Sequence, residues 1–476
     1  MLPQPSVVYE VLIDRFSRSQ DGVTAVQAWG EEDDRHLVHG GDLRGVTRRL
    51  DHLVELGVDT LLLSPVWPST SALGDEIEDF FSVSPALGGE EAFDELLQAA
   101  QQRGMWVLLT GLFDRVGHKH DWFVEATTQE LDDGRIDPSQ RRRSFFSFEQ
   151  APFGHAAYRG DQTQPELNLQ DYHLRHKLLH GDRSVLRTWI DRGINGWRID
   201  HAESLGYEVL GEILRASRNA NPDCLVIGDA RAFAAREVRD GLVDGVVNHY
   251  LREAVVAFLR GRVPAQELGR VLEQQVLRYG SRGLSRCFNV LSSAGDPRLL
   301  SLLDGDARRM HLAVQLQYAL PGAAVVFYGD EVGLVGAELA SCRRPMEWDR
   351  GRWNPDLLQA YKQMGALRRA QRALVSGDVT NLTPSGEPDV FALARSCGNP
   401  RDTVVAAFNR SDRAREVTLF VAVGGMVDGL PMRDALSETQ AVFRNGVLDL
   451  VIPAHGAVIL APALDALAGY RFLKDR

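Results

Sequence analysis

Short apolar runs that end in polar residues return eight times along this chain, and between them lie stretches whose apolar residues fall at three- and four-residue spacing. The runs occupy 7–16, 59–65, 106–112, 196–200, 224–229, 245–249, 287–291 and 323–331, and amphipathic helices are predicted between them, for example over 43–56, 91–103, 174–192 and 308–319. A strand-then-helix alternation of this kind predicts a parallel sheet. Eight such units predict a sheet that closes on itself, a (β/α)₈ TIM barrel of the α/β class.

The units spread over more chain than a plain barrel needs, so insertions must take up the excess. The largest, 114–171, is rich in Gly, Pro, aromatic and charged residues and reads as an excursion domain after the third strand. After about residue 380 the pattern changes to short alternating strands separated by turn residues, which predicts an all-β sandwich domain. The expected division is therefore 1–113 and 172–378 for the two parts of the barrel, 114–171 for the excursion and 379–476 for the β domain.

A formal net charge of −12 argues against nucleic acid or an anionic membrane surface as partner, and a neutral or cationic ligand is expected. No basic stretch followed by an apolar run opens the sequence, and no segment offers the ~20 apolar residues of a membrane span. A cytoplasmic protein is expected. Cys224, Cys287, Cys342 and Cys397 form no C-x-x-C pair and read as free thiols.

The fourth run reads Gly193-Ile194-Asn195-Gly196-Trp197-Arg198-Ile199-Asp200. With a strand period of two, Arg198 and Asp200 point to one side, and Asp200 falls at the carboxyl end, where barrels hold catalytic groups. An arginine beside a carboxylate keeps it ionised at neutral pH, as a nucleophile or electrostatic stabiliser requires. A structural ion pair is the alternative reading of the same residues.

This motif resembles the second signature region of glycoside hydrolase family 13, the α-amylase family. Further segments agree in order: His39-Gly40-Gly41-Asp42-Leu43-Arg44-Gly45, Leu63-Ser64-Pro65, Pro165-Glu166-Leu167-Asn168 and Val243-Asp244-Gly245-Val246-Val247-Asn248-His249. Phe327-Tyr328-Gly329-Asp330-Glu331 and Arg343-Arg344-Pro345-Met346-Glu347-Trp348-Asp349 are similar to the eighth-strand segment of the neopullulanase and oligo-glucosidase branch.

The resemblance implies three working carboxylates: an aspartate nucleophile, a glutamate acid/base and a second aspartate on the sugar hydroxyls. Only the first is intact, as Asp200. In Leu225-Val226-Ile227-Gly228-Asp229 the glutamate has become Asp229, shortened by one methylene, and misplacements of about 1 Å can cost ~10²-fold in rate. The seventh-strand segment from Phe288 and Asn289 to Pro297-Arg298, aligned without a gap, puts Ala294 and Gly295 where the family has His-Asp; a slide by one residue would put Asp296 there. In Leu109-Thr110-Gly111-Leu112-Phe113-Asp114-Arg115 the family's calcium-ligand asparagine has become Asp114 and its sugar-binding histidine Arg115. The tyrosine-aspartate pair that stacks on the reacting sugar is Asp75-Glu76.

The candidate catalytic residues are thus Asp200 and Asp229, and the candidate sugar contacts are Arg198, His201, Asp75, Glu76, Asp114, Arg115, Asn289 and Arg298. No cofactor is required, with calcium through Asp114 kept open. The function expected is that of an α-amylase-like protein acting on or binding a sugar or sugar-like ligand, its ordinary retaining hydrolysis lost or repurposed. The alternatives are an active α-glucan hydrolase or transglycosylase using Asp200 and Asp229, and a non-catalytic carbohydrate- or partner-binding protein.

Overall fold

The computed structural model describes residues 4–19, 37–128, 142–150 and 154–463. Eight parallel strands close into a barrel, β1 (Val7–Val11), β2 (Thr60–Leu63), β3 (Trp106–Gly111), β4 (Gly196–Ile199), β5 (Leu225–Ala230), β6 (Gly245–Asn248), β7 (Phe288–Asn289) and β8 (Ala323–Phe327), and each pairs with its neighbours in sequence until β8 meets β1. Every one lies within an apolar run predicted from the sequence, or oversteps it by one residue.

Two cores follow from the two faces of these strands. Val8, Leu62, Leu108, Leu225, Ile227, Val247, Phe288 and Val325 fill the barrel interior, while Val7, Tyr9, Leu61, Leu63, Val107, Leu109, Trp197 and Val226 join the layer beneath the helices. The period of two along a strand makes the partition.

The helices depart from the simple reading in two places. The stretch predicted over 174–192 breaks, because Ser184 takes an extended conformation and its hydroxyl caps a fresh helix at Val185–Arg192 through the Arg187 amide. The stretch over 43–56 likewise divides at Arg49 into Leu43–Arg48 and Leu50–Glu55.

In the excursion, Phe145 and Phe146 are buried against Trp122 and Phe123 and pack that segment. Its residues 129–141 and 151–153 lie outside the described residues. The carboxyl-terminal β domain holds a six-stranded antiparallel sheet and a two-stranded one, Arg415–Phe420 with Val447–Ile452, around an apolar core that includes Val390, Val405, Leu419, Leu448 and Leu460. It is fastened to the barrel by Arg395, which donates from Nη1 to the carbonyl of Ala319 (3.1 Å), and by Arg410, which donates to the carbonyls of Phe258 and Val263. Cys224, Cys287, Cys342 and Cys397 are free. No helix among the described residues is long and apolar enough to cross a membrane.

Candidate active site

Counting in twos from the interior residues brings polar side chains to the carboxyl-terminal mouth of the barrel. Glu10 follows inward Val8, Thr110 follows Leu108, and Asp229 follows Ile227. On β4, Arg198 stands two residues beyond Gly196, which pairs with inward-facing Leu108 and Leu225. These four residues line one cavity of about 540 Å³, within the ~300–1,000 Å³ usual for small-ligand sites. Asp200 is the next residue after β4. The chain turns there through His201, at φ 47°, into the short helix Ala202–Leu205, which leaves both Asp200 and His201 in the lining.

Arg198 is the hub. Its Nη2 contacts Oδ2 of Asp229 and lies 3.7 Å from Oδ1 of Asp200, and its Nη1 lies 3.6 Å from Oε1 of Glu10. Asp229 also has His249 Nε2 at 2.8 Å from its Oδ1. Burial disfavours the charge on Asp229, yet Arg198 and His249 outweigh it and hold the carboxyl well below the ordinary carboxylate range. Glu10 goes the other way: burial pushes its carboxyl up, with Arg198 opposing.

Arg115 forms the second cationic anchor. It donates from Nη2 to Asp200 Oδ2 and from Nη1 to Asp114 Oδ1, each at 2.7 Å, and from Nε to Gln164 Oε1 at 3.0 Å. Its guanidinium lies 4.0 Å from the ring centre of Tyr158, whose hydroxyl meets His201 Nε2. Burial works against the Arg115 charge, but Asp114 and Asp200 hold it protonated.

Beyond β7 the chain makes a tight turn in which Ser293 bridges Asp296. The Ser293 hydroxyl donates to Asp296 Oδ2 (2.6 Å) and accepts from the Gly295 amide (3.1 Å). Ala294 and Gly295 face the cavity; Asp296 is turned away to Arg231 Nη1 at 3.0 Å, with His249 Nδ1 at 3.8 Å. The place beside Gly295 is filled: a Cβ built there would stand 2.5 Å from Arg231 Nη2.

The structure brings Asp75, Arg115, Arg198, Asp200, His201 and Asp229 to the cavity and keeps four of the sequence-derived candidates out of its lining. Arg298 is fully buried on the far side of its turn, donating to the Tyr328 carbonyl and to Asp330 Oδ1. Asn289 donates to the Pro321 carbonyl between strands. Glu76 is consumed by the hydroxyls of Thr70 and Thr163. Asp114 stands behind Arg115, where burial pushes its carboxyl up. Asn289 ends β7, Asp114 lies shortly past β3, and Glu76 and Arg298 stand well along the loops that follow β2 and β7; each side chain is held by neighbouring groups and not by the opening.

Glu10, Tyr158, Arg231, His249 and Arg343 are cavity or near-cavity residues that the motifs alone do not single out. Asp114, the residue at the calcium position, has a guanidinium against it, and among the described residues no three His, Cys, Asp or Glu side chains gather to hold a metal ion. His120 accepts from the Trp122 amide at Nδ1, and burial lowers its ring to about 4.

A family model described as the α-amylase catalytic domain matches residues 10–227. A cyclomaltodextrinase of Geobacillus thermopakistaniensis is 28% identical over 469 residues, covering 96% of this chain and 76% of that protein. Neopullulanase 2 of Thermoactinomyces vulgaris is 27% identical, covering 96% and 77%. Among solved structures, a cyclic α-maltosyl-(1→6)-maltose hydrolase from Arthrobacter globiformis, in complex with cyclic α-maltosyl-(1→6)-maltose, superposes with a TM-score of 0.82 at 26% identity, over 96% of this chain and 98% of that one.

Proposed function

The chain belongs to the α-amylase family, and from that premise we propose that it binds a sugar in the cavity at the barrel mouth while ordinary retaining hydrolysis of α-glucosides is lost. The observation that carries this reading is the setting of Asp229. A retaining site needs one carboxyl that holds a proton until the leaving oxygen takes it, and such groups have raised pKa values. Asp229 is instead held as an anion between Arg198 and His249.

Two further departures act in the same direction. Arg115 rests directly on Asp200, so the nucleophile's charge is drawn to a guanidinium before any sugar arrives. Arg231 occupies the space beside Gly295 in place of a carboxylate. Removing one transition-state stabiliser costs on the order of 10²–10³-fold, and such losses do not simply sum. The sugar itself is supported by the neighbouring hydrolase, whose structure holds a cyclic maltosyl-maltose.

A repurposed acid/base site is the second reading, and Glu10 favours it. Its carboxyl lines the same cavity and is pushed up by burial, so it can hold a proton where Asp229 does not. Incubation with p-nitrophenyl α-glucoside and with maltotriose, alongside calorimetry with maltose, separates the cases. Binding without colour above an Asp200→Asn background is expected. Turnover of about one per second or faster, abolished by Asp200→Asn, overturns the proposal in favour of an active hydrolase.

A further inference from the structure

The turn after β7 carries the opposite charge from the one its sequence position implies. Where a sugar-binding carboxylate would stand, Arg231 brings Nη2 to within 2.5 Å of the Cβ position of Gly295. One residue earlier, Arg343 donates from Nε to the Ala294 carbonyl at 2.6 Å. Consecutive Cα atoms are 3.8 Å apart, so two guanidinium groups flank one short piece of cavity wall.

They differ in how far their charge is spent. Arg231 gives Nη1 to Asp296 and keeps Nη2 toward the cavity, with its side chain 44% exposed. Arg343 has no carboxylate within ion-pair distance among the described residues, and its Nη atoms make no hydrogen bond there. Across the cavity, Arg115 and Arg198 are already engaged by Asp114, Asp200 and Asp229. The unspent positive charge therefore lies at the turn and at Arg159, an exposed arginine of the excursion whose guanidinium stands 5.2 Å from the Tyr158 ring centre.

We propose that the sugar taken by this cavity carries an anionic substituent, a phosphate or a carboxylate, received between Arg231 and Arg343. A guanidinium presents paired N–H donors that match the oxygens of either group, and such charge-assisted bonds are about twice as strong as neutral ones. The overall charge of −12 does not oppose this, because a local cluster sets the field inside a walled cavity. The inference rests on the sugar-binding reading above and narrows its ligand class.

Calorimetry at low salt with maltose, glucose 1-phosphate, glucose 6-phosphate, glucuronic acid and inorganic phosphate tests it. At least one anionic sugar is expected to bind about tenfold or more tightly than maltose, with the advantage shrinking in salt and falling in both Arg343→Gln and Arg231→Gln. Preference for the phosphates or for glucuronic acid identifies which anion it is. Thermal melts, together with Arg343→Lys, separate lost recognition from lost fold: the lysine variant is expected to keep part of the preference. Maltose binding as tightly as every anionic sugar overturns the inference and leaves the sugar-binding reading standing. An anionic preference that survives both glutamine variants also overturns it. Inorganic phosphate binding as tightly as the sugar phosphates overturns the inference, and no sugar binding at all overturns both readings.

Discussion

Nη2 of Arg115 stands 2.7 Å from Oδ2 of Asp200, and the same guanidinium reaches back to Asp114 with its other terminal nitrogen. The Arg115 side chain is 4% exposed and the two carboxylates 12% and 17%. Removing one partner of so buried a pair leaves uncompensated charge, which costs roughly 3–5 kcal/mol. Arg115→Gln is therefore expected to lower stability at pH 7 by about 3 kcal/mol. Since burial already pushes the Asp114 carboxyl up, acid neutralises it readily, and the loss should shrink between pH 7 and pH 4. Urea melts at the two pH values check this; an equal loss at both would sink it.

Asp229 gives the opposite pH signature to Asp114. Its folded value lies below the unfolded one, so in acid the unfolded chain takes up the proton first. The stability it contributes is fully present above about pH 4, the ordinary aspartate value, and is lost as pH falls further. Asp229→Asn is expected to cost about 2–3 kcal/mol at pH 7 and to flatten the acid limb of a stability-against-pH curve. A variant whose acid limb keeps the wild-type slope would show that Arg198 and His249 do not hold Asp229 in this way.

Arg198, Asp200 and Asp229 are legible in the sequence because a strand period of two fixes which side chains reach the barrel mouth. Glu10 carries the same signal, two residues beyond inward Val8, and a parity count alone finds it. Arg231, His249 and Arg343 are not legible in that way. Each stands past a strand or on a distant loop, and its role depends on which residue of another unit it meets: Asp296, Asp229 and Ala294 respectively. Arg298 and Asn289 mislead for the complementary reason. Motif alignment fixes their backbone positions, but the direction of the side chain is decided by Asp330, Tyr328 and Pro321, which lie some thirty residues on.

Arg298 is consequently a stability residue in this fold. It is fully buried and pairs with Asp330, whose carboxyl burial pushes up to about 6. A carboxyl whose folded value exceeds its unfolded one burdens the fold increasingly as pH rises through about 4 to 6 and is relieved in acid. Arg298→Met removes the compensating charge, so a loss of about 3 kcal/mol is expected at pH 7, diminishing toward pH 5. Calorimetric titration of the folded variant with sugar should match the wild type. A fall in sugar affinity without loss of stability would return Arg298 to the binding site.

Gly295→Asp restores a carboxylate to the turn and tests the charge reversal from the other side. The new Cβ meets Arg231 Nη2 at 2.5 Å, but the next atom of that side chain, Cζ, is 3.7 Å away, and the guanidinium is the far end of a flexible arm. The arginine can swing aside and pair with the incoming carboxylate, so the variant should fold with a change of no more than about 1 kcal/mol. Two positive groups at the turn then become one, and the preference for an anionic sugar over maltose should fall about tenfold or more. Colour from p-nitrophenyl α-glucoside should stay at background in this variant, because Asp229 remains held between Arg198 and His249. Turnover appearing on this single substitution would mean that the third carboxylate, and not the state of Asp229, is what the site lacks.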